Sequence, residues 1–262
     1  MVAPSGLLVL TTDAVVEGVH ADLSLVGLDD LGWKAVAVNV SDVAAVGGRP
    51  LHALVAVAGP PSTDLDLLAD GIASAAAEWD VGVVGGDLTN APVLVVAVAL
   101  TGQVEGGEPV RRSGARPGDV LWVSGPLGAS AAGLRAMQAG QWDDPNARRH
   151  RRPRARPDVG QVVRRAGATA MIDVSDGLAA DAGHVATASG VGIALDVVPV
   201  AAGATEEDAL GGGEDYELVF TLPSGTEPPA GAIRIGTCTD DPRERTLRGE
   251  PLPRTGWEHG FS

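Results

Sequence analysis

Asp13, Asp42, Asp87, Asp173 and Asp176 sit in the short, separated segments TTDAVVEGVH, NVSDVAAVGG, GGDLTN and IDVSDGL, each beside a run of Val, Ala and Leu. Such runs belong in a core, so carboxylates set against them leave water at a cost unless they are paired. Brought together without a cation, like charges are pushed toward protonation. The chain has few bases to offset them. Lys34 is its only lysine, and a third of its arginines fall in the tract Arg148 to Arg156. Oxygen donors without a Cys or His cluster select hard divalent ions of the Mg2+ type. Mg2+ held by a few carboxylates commonly serves substrate phosphates.

Other routes to phosphate and acyl chemistry are closed. A P-loop needs GxxxxGK[ST], and the one lysine lies in GWKAVAV. No GxSxG elbow or HExxH pair is present. What remains is an aspartate and glycine system. Gly85 and Gly86 before Asp87 permit close backbone approach after a strand, and Gly211 to Gly213 before Glu214 and Asp215 repeat the arrangement.

Each segment taken singly also has a plainer explanation. GGD is more commonly a turn than a ligand site. A helix cap at Ser175 or Asp176 accounts for IDVSDGL as well as a functional role does, and a helix N-terminus that attracts phosphate makes the two compatible. His20 alone reads as a satisfied polar residue at a strand or loop edge. Arg112 reads as an exposed charge that context makes a phosphate partner. The arginine tract, interrupted by Pro153 and Pro157, reads as a solvated loop. Asp42 resists such treatment, because aspartate is a poor helix former and an apolar setting penalises it further.

The elements that must position these groups follow from periodicity. Leu7 to Thr11 is predicted as a strand delivering Thr11, Thr12 and Asp13 at its end. Asp29 and Asp30 are expected to cap a buried helix running to about Val46, in which Asn39 and Asp42 share a face. Leu51 to Ala58, Val81 to Val84 and Val93 to Thr101 read as strands, and Thr63 to Trp79 as a helix. This β-α-β-α-β-β order suits an α+β layer of helices over a mostly antiparallel sheet. A polar stretch from Glu105 to Asp119 marks a boundary between residues 1–110 and 111–262. Beyond it come strands at Val120 to Ser124, Met171 to Val174, Ile193 to Val197, Tyr216 to Leu222 and Ala232 to Thr237. Helices are expected at Ala129 to Ala139 and after Gly177, with a charged loop over Arg148 to Pro157.

Composition narrows the function classes. A chain of 262 residues with 45% hydrophobic content, 36 Gly and 3% aromatics has room for a full core of small aliphatic side chains, in one large domain or two smaller ones, of which two are favoured. A net charge of −15 argues against general nucleic-acid binding, which depends on basic surface. One cysteine, Cys238, excludes an intrachain disulfide and a cysteine zinc site. The apolar run near the N-terminus is too short for a signal segment or a membrane span. A cytoplasmic protein without membrane attachment is expected.

Together and in this order, TTDAVVEGVH, GWKAVAVNVSDVAAVGGRP, VGGDLTN, RRSGARPGDVLWVSGPLGASAAGL, IDVSDGLAAD and GGGEDYELVFT, with GWEHGF near the end, resemble the thiamine-monophosphate kinase family. Its superfamily also contains aminoimidazole ribonucleotide synthetase. The resemblance implies a homodimer whose N-terminal halves form a shared β-barrel, with a larger C-terminal α+β domain behind each. It also implies ATP and several Mg2+ ions, and phosphorylation of thiamine monophosphate to thiamine diphosphate. By position, Thr11, Thr12, Asp13, Asp42, Asp87, Asp173 and Asp176 match Mg2+ ligands. Gly86, Arg112 and Ser175 match ATP contacts, and His20, Glu214 and Trp257 match thiamine-phosphate contacts.

One departure stands out. In the family a GDDAAV-like segment with a further metal-binding aspartate precedes the first motif, whereas this sequence starts at Met1-Val2-Ala3-Pro4, past that point. An incomplete ATP site and an unpaired sheet edge are the expectation. Three readings therefore stand side by side: thiamine-monophosphate kinase, another ATP-using member of the superfamily, and a shortened protein that binds nucleotide or thiamine phosphate without turnover.

Overall fold

The structure is a computed structural model that describes residues 6–257. The start Met1 to Pro4 and the Glu258 to Phe261 part of GWEHGF lie outside the described residues. The first half builds a sheet from β1 (Leu7–Val16), β2 (Arg49–Gly59), β3 (Gly82–Asn90) and β4 (Val95–Val104), ordered β1-β4-β2-β3. β4 is antiparallel to both β1 and β2, and β2 is parallel to β3. Helices α1 (Leu28–Ala45) and α2 (Leu65–Glu78) cover one face, where Val15, Val55, Val96 and Val98 join Leu31, Val36 and Leu68 in one core. Alternation sends Leu8, Leu10 and Leu54 to the other face, where they are exposed.

The second half forms a seven-stranded sheet, ordered β11-β10-β7-β9-β5-β8-β6. Its strands are β5 (Val120–Val123), β6 (Ala170–Asp173), β7 (Gly192–Leu195), β8 (Leu218–Leu222), β9 (Ile233–Thr239), β10 (Arg245–Leu247) and β11 (Glu250–Pro251). Helices α3 (Ala129–Gln138), α4 (Pro145–Arg151), α5 (Pro157–Arg165), α6 (Leu178–Ser189) and α7 (Glu206–Gly211) accompany it. Leu121, Ile172, Leu178, Val185, Ile193 and Val219 make its core. The result is a mixed α/β fold on two sheets. Among the described residues neither sheet closes into a barrel, and no helix is long and apolar enough to cross a membrane.

Several expected boundaries move, each for a local reason. β1 does not stop at Thr11; its ladder with β4 runs unbroken to Val16, so Thr11, Thr12 and Asp13 lie mid-strand. Gly85, Gly86 and Asp87 are likewise inside β3 and not in a turn, because a Cβ on Gly86 would lie 1.8 Å from the Val55 carbonyl oxygen. That glycine serves β2–β3 pairing. α1 begins at Gly27 without a side-chain cap, leaving Asp29 and Asp30 in its first turn. Val163, Met171 and Phe220 form a smaller core with Ala44 and Ala45, which seats the end of α1 against the second half.

The arginine tract is the largest correction. Arg148 to Pro157 is no solvated loop, because Asp144 accepts from the Asn146 N–H at 2.8 Å and starts α4 with Pro145 in its first turn. Proline is suited to that position, having no N–H to leave unsatisfied. The tract then grips the first half. Arg152 pairs with Asp29 at 2.6 Å and with Asp30, Arg154 with Glu78 at 3.3 Å, and the Trp33 indole N–H donates to the Pro153 carbonyl at 2.8 Å. Arg156 instead reaches Glu217 at 2.5 Å.

Candidate functional site

Helix α1 carries one end of the site to the other. Lys34, Val38 and Asp42 are spaced four apart and so stack on one face, with about 12 Å along the axis between the cation and the carboxylate. At the Asp42 end, the inward side of β1 presents Thr11, whose hydroxyl donates to Asp42. Ser41 donates to Asp173 at 2.6 Å, joining α1 to the last residue of β6. Asp42 and Asp173, far apart in sequence, are thereby held beside each other.

The segment after β6 is laced to the GGGEDYEL loop. Glu214 N–H donates to the Ser175 carbonyl at 2.8 Å, and Tyr216 N–H to that of Val174 at 2.9 Å. Gly213 takes φ +64°, and a Cβ there would sit 2.3 Å from the Ser175 oxygen. Glu214 and Tyr216 also hold positive φ, at 56° and 52°. Non-glycine residues in that region cost free energy that the surroundings must offset, and they cluster at functional sites. Trp257 joins through its N–H to the Asp176 carbonyl at 3.3 Å. Asp215 of the same loop has a structural task, accepting from the Gly128 and Ser130 N–H groups at 2.5 and 3.1 Å at the start of α3.

Charge accumulates where these segments meet. Burial raises the Asp42 carboxyl against the opposing pull of Thr11 and Arg112. Burial and then Asp42 push Asp173 up to about 6, with Ser41 and Arg112 pulling the other way. Asp181 is pushed up to about 8 by burial and by Asp173. The Tyr216 hydroxyl, buried among Glu214, Asp173, Asp13 and Asp42, is raised well above its ordinary range. Arg112 is the cation felt by both Asp42 and Asp173. A group of buried oxygen donors carrying excess negative charge fits a hard divalent cation, which would restore the carboxylates to their ionised form.

Asp181 and His184 were not singled out from sequence, yet ligand atoms of Asp176, Asp181 and His184 lie within 4.8 Å of one another. Asp181 also replaces the expected Ser175 or Asp176 cap. Gly177 precedes α6 without a side-chain cap, and Asp181 reaches back to accept from the Asp176 and Gly177 N–H groups at 3.0 and 3.2 Å. The signal was its place four residues after Gly177, one turn into the helix.

A cleft of about 750 Å³ adjoins this cluster, lined among others by Asp13, His20, Ser175, Asp176, Glu214 and Trp257. His20 accepts from the Val16 N–H at 3.1 Å, so the turn after β1 is fixed. Lys34 and His150 also line the cleft and were absent from the sequence-based site. Lys34 pairs with Glu214 at 2.6 Å, and His150 Nδ1 lies 3.4 Å from the other Glu214 oxygen. Burial, with Lys34 nearby, brings the His150 imidazole down to about 4.

Not every expected residue converges. Thr12 points to the exposed side of β1, opposite Thr11 and Asp13. Gly86 and Asp87 lie on β3, at the opposite edge of the four-stranded sheet from β1. Asp87 pairs in register with Ala56, on the face turned away from α1, and is exposed. Within one chain the fold therefore gathers Thr11, Asp13, Asp42, Asp173, Asp176 and Arg112 and leaves Asp87 apart.

Comparison with known proteins accords with this geometry. Residues 1–104 match the N-terminal domain of AIR synthase related proteins, and residues 116–245 match their C-terminal domain. Thiamine-monophosphate kinase of Mycobacterium tuberculosis is 38% identical over 98% of this chain and 82% of its own. The Bacillus subtilis enzyme of that name is 35% identical over 82% of this chain and 72% of its own. Among solved structures, AaThiL complexed with AMPPCP and TMP superposes with a TM-score of 0.90 at 35% identity, covering 99% of this chain and 89% of that one. Thiamine monophosphate kinase from Aquifex aeolicus gives 0.85 at 35% identity, covering 95% and 90%. The chain therefore belongs to the AIR synthase related proteins and, within them, to the thiamine-monophosphate kinase family.

Proposed function

We propose that this chain transfers the γ-phosphoryl group of ATP to the phosphate of thiamine monophosphate, giving thiamine diphosphate, with Mg2+ at the carboxylate cluster. The observation that carries the reading is the meeting of Asp13, Asp42, Asp173 and Asp176 beside a cleft lined by His20, Glu214 and Trp257. Family membership, with relatives named for this reaction, agrees with it. Thr11, Asp13, Asp42, Asp173 and Asp176 are the proposed holders of Mg2+, some through water, and Thr12 and Asp87, which a single chain leaves on the outer face of the sheet, are proposed to join them only in the dimer. Bound there, the ion supplies neutralisation of phosphate charge. Gly86, Arg112 and Ser175 are assigned to ATP, and His20, Glu214 and Trp257 to thiamine phosphate.

The chemistry asks little else of the protein. The acceptor phosphate is already ionised near neutral pH, so positioning and charge stabilisation carry the transfer and no strong base is required. Arg112 faces the cluster and is suited to a transferring phosphoryl group. Ser175, on the loop between β6 and α6, lies in the cleft wall.

The dimer is part of the proposal. Both edges of the four-stranded sheet, β1 and β3, lack a partner strand among the described residues, and all of β3 is exposed. Leu8, Leu10 and Leu54 leave an apolar outer face. A shared eight-stranded barrel between two copies would cover that face and remove both edges. It would also give Asp87 a route to a site formed with the second copy. The domains are taken as 1–110, which carries the barrel and most metal ligands, and 111–262. Cys238 is a free, buried thiol, which suits the proposed cytoplasmic location. The test is to supply ATP labelled at its γ-phosphate with Mg2+ and thiamine monophosphate. Label in thiamine diphosphate supports the reading, and label confined to inorganic phosphate opposes it.

A further inference from the structure

We propose that Lys34 is the positioning residue of the thiamine-phosphate cleft, one ammonium group that fixes both the Glu214 side chain and the turn carrying His20. The inference rests on the kinase reading above. Lys34 is the only lysine of the chain and is 1% exposed, in the middle of a helix otherwise rich in Ala and Val. A buried ammonium is costly unless its protons find acceptors, so a lysine kept here is bound by what surrounds it. Its Nζ donates to the His20 carbonyl at 3.1 Å and pairs with Glu214 Oε1 at 2.6 Å. His20 belongs to the VEGVH turn of the first half and Glu214 to the GGGEDYEL loop of the second. Both line the cleft, and Lys34 lines it with them.

Glu214 is constrained from two sides. Oε1 is held by Lys34, and Oε2 lies 3.4 Å from His150 Nδ1, which in turn is 2.9 Å from the Ser130 hydroxyl. The Glu214 side chain still keeps 27% exposure, directed at the cleft. Its backbone is held as well, by the bond to Ser175 and by three positive φ angles around it. A carboxylate so fixed offers its remaining lone pairs to a substrate donor in one geometry. Because Lys34 offsets its charge, recognition there proceeds by directional hydrogen bonding more than by attraction for any cation. A purely structural ion pair would behave differently, since losing one partner would lower the thermal midpoint without singling out KM for thiamine monophosphate.

The test uses the full chain with Lys34→Met, Lys34→Gln and Lys34→Arg. Initial rates are measured with thiamine monophosphate varied at saturating ATP, and the reverse, together with thermal midpoints. For Lys34→Met, KM for thiamine monophosphate should rise about tenfold or more, the scale of one lost charge-assisted contact, while KM for ATP stays within about twofold. Lys34→Arg should recover part of that rise. If Lys34→Met does not fold, Lys34→Gln, which keeps an N–H donor for the His20 carbonyl, carries the same comparison. Unchanged KM for thiamine monophosphate, equal rises in both KM values, or loss of folding in both neutral variants would overturn the proposal and leave Lys34 a structural cation. A wild-type protein with no turnover would overturn the kinase reading and this inference with it. An active wild type beside an unaffected Lys34→Met would overturn the inference alone.

Discussion

Ser41 and Asp173 are 132 positions apart in the sequence, and a 2.6 Å hydrogen bond from the Ser41 hydroxyl to Asp173 Oδ2 joins helix α1 to the end of strand β6. It is both a tie between the two sheets and a restraint on the charge of a buried carboxylate. Ser41→Ala should cost about 1.5–3 kcal/mol in urea unfolding, the range for a hydrogen bond to a charged group. Burial and Asp42 already push Asp173 up to about 6, and Ser41 opposes them. Without that hydroxyl the carboxyl loses its proton at higher pH, so the acid limb of the activity profile should shift upward. An unmoved acid limb would show that Asp173 need not be ionised.

Asp42 tests the repulsion within the cluster. It raises Asp173 and is itself raised by burial, so Asp42→Asn removes one of two crowded charges and leaves an acceptor for Thr11. With chelator present, the variant should melt about 2–4 °C above wild type, corresponding to about 1 kcal/mol in a chain of this size. Mg2+ should raise the wild-type midpoint and leave the variant nearly unchanged. Equal Mg2+ responses from the two proteins would remove Asp42 from the cation site.

Arg156 and Glu217 form a structural pair in which the carboxylate is buried and the arginine side chain remains 30% exposed. Glu217 is 3% exposed, accepts from Ser124, and takes both the Nε and Nη2 donors of Arg156. Arg156→Met leaves that carboxylate unpaired and should cost about 3–5 kcal/mol in chemical denaturation. Adding Glu217→Gln should recover most of the loss. A single variant within 1 kcal/mol of wild type, by the same principle, would mean that Glu217 is solvated or protonated without its arginine.

His150 should make the fold sensitive to acid. Its imidazole titrates at about 4 in the folded chain against an ordinary 6.5, because burial and the nearby Lys34 disfavour the cation. Its stabilising contribution is complete above pH 6.5 and is lost as pH falls toward 4, a total of roughly 3 kcal/mol. His150→Gln, which keeps a polar partner for Ser130, should therefore lose roughly 2–3 kcal/mol less than wild type between pH 7.5 and 4.5. Parallel stability curves for the two proteins would contradict a buried neutral histidine.

The sequence is most legible where a residue's chemistry conflicts with its neighbourhood. Asp42 in an Ala and Val helix stood out as a candidate, and the helix is buried as its composition required. The β-α-β-α-β-β order followed from apolar periodicity, which depends on local spacing alone. Asp87 was legible as a motif but not as a location, because its strand, edge and face are set by pairing with β2. The arginine tract misled for the same reason. Arg152 and Arg156 are neutralised by Asp29, Asp30 and Glu217, partners that only the tertiary fold brings near. Lys34 lay inside a quoted motif and His150 outside every one, and neither could be placed in the site from sequence, since their meaning lies in a shared contact with Glu214. Asp181 could have been found, because an aspartate one turn inside α6 and facing the core needs donors that the preceding loop supplies.

The carboxylates joined by α1 and β6 are proposed to carry phosphoryl transfer to thiamine monophosphate. The most direct measurement is the initial rate of thiamine diphosphate formation by the purified chain with ATP and Mg2+, wild type against Asp42→Asn. The wild type should form thiamine diphosphate and ADP in equal amounts, and the variant should be slower by roughly 100-fold or more, the scale of one lost charge-stabilising group. No thiamine diphosphate from the wild type, or equal rates from both proteins, would contradict that role.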